Sequence, residues 1–117
     1  MSISPDLLFE HLVLYQEKIA YSRAHELLVG PVKGPWLDKV HSPVVVTASQ
    51  PCTPRSIDEL RIALDALIVN KEGGEPSDGH FLHKSYDLQQ WQALFSNWSF
   101  CAHGEYNIVN RIPPRRR

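Results

Sequence analysis

From Ser4 to Leu28 the chain contains no glycine and one proline, Pro5, and it then meets Gly30-Pro31. That uninterrupted stretch limits what the chain can fold into more than any other feature. Ser4 suits an N-cap, Pro5 suits a first helical turn, and Asp6 sets a carboxylate at the positive end of a helix dipole. Gly30-Pro31 is a stop signal. The pattern predicts one long N-terminal helix, and its roughly 24 residues would span about 36 Å, the width of a small domain.

Stepping 100° per residue along that helix gives a broad apolar face of Leu8, Phe9, Leu12, Val13, Ile19, Ala20, Ala24 and Leu27, with Tyr15 at its border. A second apolar stripe remains: Leu7, Leu14, Tyr21 and Leu28, spaced by seven and drifting about 20° per step. It runs through the polar side, between Glu10, Glu17, Lys18 and His25. One exposed leucine needs no explanation, but four apolar residues in register form a patch. Leu7, Leu14, Tyr21 and Leu28 are therefore the expected partner-binding residues, unless the connector after Leu28 folds back over them.

That connector, Val29 to Pro43, is punctuated by glycine and proline, with Trp36, Leu37 and Val40 as its expected anchors. Val44-Val45-Val46-Thr47-Ala48 is short, continuous and β-branched, which predicts a strand buried on both faces. Ser56 and Glu59 have capping-box spacing and predict a second helix to about Val69, with Ile57, Leu60, Leu64, Leu67 and Ile68 inward. A solvated loop follows over 70–79, then a short strand at His80–Lys84. Asp87 with Gln90 caps a third helix bearing Leu88, Trp91, Leu94 and Phe95. The alternation after Trp98, resumed at Tyr106–Ile112, reads as a β-hairpin. The expected fold class is α/β (α+β): a small, largely antiparallel sheet of about three or four strands packed with about three helices. Residues 1–114 form one domain in this reading, and Arg115–Arg117 form a basic tail.

The charge balance restricts partners. Twelve basic residues against 13 acidic ones give a net charge of −1. Without Arg115, Arg116 and Arg117 the balance is 9 against 13, or −4, a body that phosphate backbones repel. Nucleic acid is thus not the expected partner. Met1–Asp6 carries no basic region, and the apolar stretch behind it is broken by Glu10, His11, Glu17 and Lys18, so neither an export signal nor a membrane span is expected. With two cysteines, Cys52 and Cys101, the expectation is a cytoplasmic protein with reduced thiols.

Candidate chemistry is sparse. Cys52 falls between the expected strand and the expected second helix, a position that lowers a thiol pKa. A phosphatase loop needs an arginine six residues later, where this chain has Asp58. His80, His83, Cys101 and His103 have zinc-ligand chemistry but lack the two tight ligand pairs of a structural zinc site. Asp58–Glu59 fits helix capping, and Glu72, Glu75 and Asp78 fit a hydrated loop. No phosphate-cradling glycine loop or nucleophile elbow is present. The expectation is no catalytic residue, no metal and no cofactor. The leading reading is a non-enzymatic regulatory protein acting through protein association, with itself as a homodimer or with another protein, in the manner of an adaptor, inhibitor or anti-activator of a transcription regulator. A small thiol- or histidine-dependent enzyme centred on Cys52 is the alternative, and an accessory nucleic-acid binder using the terminal arginines is a third.

Overall fold

The single long helix fails at Gln16. In a computed structural model, which describes residues 3–101, α1 covers Pro5–Tyr15 and closes on Gln16 in the left-handed conformation, φ 52° and ψ 58°. The Gln16 N–H turns back to the carbonyls of Leu12 and Val13. The next four residues, Glu17–Ala20, form a strand, β1, before α2 begins at Tyr21 and runs to Leu28. The expected start and stop are both present: Ser4 accepts the Leu7 N–H at 3.1 Å, and the Gly30 N–H closes on the His25 carbonyl at 2.9 Å. What overrides the helical pattern is pairing. β1 is the centre of a three-stranded parallel sheet, flanked by β4 (Ile68–Val69) and β5 (Ser99–Cys101), in the order β4-β1-β5. Ile19 aligns with Ile68 on one side and with Cys101 on the other.

The expected long N-terminal helix and the expected antiparallel sheet are both overturned by this arrangement. A parallel neighbour requires a crossover of a dozen residues or more, and helical segments separate β1 from β4 and β4 from β5. All four residues of β1 are buried, including Glu17 and Lys18. Glu17 lies 3.6 Å from the buried His11, and the Lys18 ammonium lies 5.5 Å from the centre of the Trp91 ring. Burial, opposed by the nearby Glu75 charge, holds the Lys18 pKa below the usual lysine value.

Three further elements differ from expectation. The valine-rich run is not a strand but lies within a helix, α3, Asp38–Ser49, with Pro43 in its interior. The expected second helix is a hairpin of β2 (Arg55–Ile57) and β3 (Leu60–Ile62), then a 3-10 turn at Leu64–Ala66, then β4. Asp58 and Glu59, read as helix-capping acids, form its two-residue turn with φ of 47° and 72°. His80 belongs to a second 3-10 segment, Asp78–His83, rather than to a strand.

The third helix is present as read: α4, Leu88–Phe95, opens on a full capping box between Asp87 and Gln90, both bonds 2.9 Å. Trp91 is buried and donates to the Ala66 carbonyl at 2.8 Å, tying α4 to the first 3-10 turn. β5 coincides with the first arm of the expected hairpin, but it pairs in parallel with β1. The second arm and Arg115–Arg117 lie outside the described residues. Leu8, Phe9, Leu12, Ile19, Ala20, Ala24 and Leu27 are buried, as the broad apolar face required, although two helices and a strand carry them instead of one helix.

Candidate functional site

The four residues of the second stripe do not share a surface seam. Leu7 and Leu14 belong to α1, and Tyr21 and Leu28 belong to α2, with β1 between the two helices. Leu14 is 64% exposed, whereas Leu7 and Leu28 are half-buried. Tyr21 is buried; its hydroxyl lies 3.2 Å from Ser77 Oγ and accepts the Ser77 N–H at 3.4 Å.

Among the described residues, four of the nine exposed large hydrophobics, Leu37, Val40, Val44 and Val46, lie on α3 or just before it. Its buried side is modest: Val45 and Ser49 are buried, and His41, Ser42 and Ala48 are half-buried. Its outer side carries Val40, Pro43, Val44 and Thr47 at i, i+3, i+4 and i+7, all exposed. Val40 is 55% exposed and Val44 40%, with Leu37 at 51% just before the helix. This inverts the usual arrangement, in which the apolar stripe faces the core and polar residues face water. Asp38 and Lys39 are its only formal charges, both in the first turn, so the outer side from Val40 to Gln50 is uncharged.

The start of α3 is fixed by a cluster of rings. Trp36 stacks on His41 with ring centres 5.0 Å apart and meets His25 of α2 edge-on at 5.9 Å. The Trp36 indole donates to Asp38 at 2.5 Å, and His41 Nδ1 accepts the Leu37 N–H at 2.9 Å. Trp36 is thus an anchor of the connector as expected; Leu37 and Val40, also expected to pin it, point to solvent.

A second group of side chains gathers around Asp65, in the first 3-10 turn. Lys84 Nζ donates to Asp65 Oδ2 at 2.7 Å, and His80 Nδ1 lies 3.5 Å from the same oxygen. The other His80 ring nitrogen is 2.8 Å from the Tyr86 hydroxyl. Burial raises the carboxyl pKa, but hydrogen bonds and charge from His80 and Lys84 outweigh it and hold Asp65 at about 2. Burial, with the Asp65 charge behind it, pushes the Tyr86 phenol well above its ordinary value. His80 is nearly enclosed and Tyr86 is buried. A phenol kept neutral and an imidazole with both nitrogens engaged anchor the 78–86 segment; neither is presented as a nucleophile or a base.

Cys52 is buried at the end of α3, where burial first, and then the charges of Asp6 and Asp65, push its thiol up to about 11. At neutral pH it is a thiol, the opposite of what nucleophilic chemistry needs. His80 is committed to Asp65 and Tyr86, and His83 is exposed. His103 and the Cys101 side chain lie outside the described residues, among which no group of three or more His, Cys, Asp or Glu side chains is placed to hold a metal ion. No described helix is long and apolar enough to cross a membrane.

Neither surface was singled out from sequence. The Val40, Pro43, Val44, Thr47 spacing is a helical signal, but the β-branched run Val44–Thr47 reads as strand and hides it. Asp65 lies 15 residues or more from its partners, a separation that no local motif spans. Comparison with family models, with curated proteins and with solved structures finds no match for this chain.

Proposed function

We propose that this chain is a non-enzymatic regulatory protein that acts by protein association, docking through the outer side of α3, and that its first partner is a second copy of itself. The observation that carries the reading is the inverted helix: α3 turns a mixed stripe of His41, Ser42, Val45, Ala48 and Ser49 inward and shows solvent a more apolar one. The thiol of Cys52, protonated at neutral pH, weighs against the enzyme alternative. Two features favour a second copy. The outer side has no formal charge from Val40 to Gln50, so like helices do not repel there. An antiparallel pair about a twofold axis would set Val40 opposite Thr47 and Pro43 opposite Val44, with opposed helix dipoles.

Val40→Glu combined with Val44→Glu tests this. Both positions are exposed, so each change should move stability by no more than about 0.5 kcal/mol. Light scattering of the natural chain should rise with concentration from 13.3 kDa toward twice that mass. The double variant should remain folded and stay at the monomer mass. A natural chain that is monomeric throughout, or a folded variant that still doubles its mass, contradicts the proposal.

A further inference from the structure

Lys18 is the second residue of the central strand, β1, and is only 7% exposed. Lysine is almost never buried without a paired charge, because an enclosed ammonium loses its hydration. Among the described residues Lys18 makes no hydrogen bond and no ion pair; its ammonium faces the Trp91 ring, 5.5 Å from the centre. Glu75 acts on it through charge from beyond ion-pair distance, and that carboxylate accepts a bond from Gln92 Nε2 at 2.6 Å. Lys84, by contrast, is paired with Asp65, and Lys33, Lys39 and Lys71 are exposed. The Lys18 Nζ is not fully enclosed, so the small exposure that remains includes the amine. Desolvation outweighs the Glu75 charge and favours the neutral amine, which is the nucleophilic form.

We infer that Lys18 is a covalent binding site for a small uncharged aldehyde, which its amine captures as an imine. Nζ adds to the carbonyl carbon, a C=N bond replaces C=O, and the carbonyl oxygen leaves as water with both amine protons. The narrow opening limits the size of the aldehyde, and the Glu75 charge disfavours an anionic one. Once protonated, the imine keeps a positive charge against the face of Trp91, as the ammonium does. The step ends at capture, without turnover, and does not depend on association through α3.

The test incubates the full chain at pH 7 with acetaldehyde and cyanoborohydride, which reduces the imine to a stable secondary amine. Labelling at each lysine is then followed by peptide mass mapping. Lys18 should be labelled at least about threefold faster than Lys33, Lys39 and Lys71, because a larger share of its amine is free. A buried lysine that only packs would be labelled more slowly than these exposed ones. Labelling of Lys18 no faster than theirs overturns the inference. Glu75→Gln removes the charge that favours the ammonium and should quicken labelling of Lys18 about twofold. Slower labelling in that variant contradicts the role given to the free amine. With glyoxylate in place of acetaldehyde, the rate at Lys18 relative to Lys33 should fall, and an undiminished ratio overturns the assignment to uncharged aldehydes.

Discussion

Asp65 is ionised under almost all conditions because Lys84 and His80 hold its carboxyl at about 2, against an ordinary value of 3.8. A carboxyl depressed on folding stabilises the native state above its unfolded pKa, and that contribution is lost as the pH falls through the folded one. The shift corresponds to about 2 kcal/mol, fully present above about pH 5 and lost toward pH 2. In Asp65→Asn, urea unfolding should show a loss of stability between pH 6 and pH 2 that is smaller by about that amount. An unchanged loss would mean that the ion pairs contribute nothing net. Cys52 permits a second test. With its thiol at about 11, the thiolate fraction at pH 7.5 is roughly 100-fold below that of a free cysteine. In a Cys101→Ser background, alkylation of the folded protein should be slower by at least that factor and become fast on unfolding. Rapid labelling of the folded chain would restore the thiol chemistry that the burial of Cys52 argues against.

Two elements owe their shape to non-glycine residues in left-handed conformations: Gln16, which separates α1 from β1, and Asp58-Glu59, which turn the β2–β3 hairpin. Each such residue costs about 1–2 kcal/mol relative to glycine, partly offset by the entropy glycine loses on folding. Glu59→Gly, with Asp58→Asn to complete the preferred two-residue turn, should stabilise the protein by about 1 kcal/mol in chemical denaturation. If 56–69 were helical, the same glycine would destabilise it by a similar amount. These positions explain which elements were legible in the sequence. Where the local signal is itself the structure, as at Ser4-Pro5, Gly30 and the Asp87–Gln90 box, the reading holds. Where long-range pairing decides, it does not. Glu17–Ala20 continues a helical pattern but is claimed by partners 49 and 82 residues away, Ile68 and Cys101 on Ile19. The valine run suits a strand by composition, yet it sits in a helix whose turn is fixed by Trp36 and His41. The apolar composition of residues 8–27 identified the core correctly because burial depends on hydrophobicity, whichever element carries it.

At the scale of the whole molecule, parallel β1 is enclosed on both edges, by β4 and by β5, and its four residues are buried. The core is closed by α1, α2 and α4, through Leu8, Leu12, Ala24, Leu27, Trp91 and Phe95. α3 contributes Val45 to that core and directs its remaining valines outward. Association through this helix is the central claim, and amide hydrogen exchange measured at two protein concentrations tests it directly. Amides 44–49 of α3 should exchange more slowly at the higher concentration, where the helix is covered, while those of α4 and of α1 around Leu14 should be unchanged. Concentration-dependent protection at Leu14 instead of α3, or none anywhere, would contradict the claim.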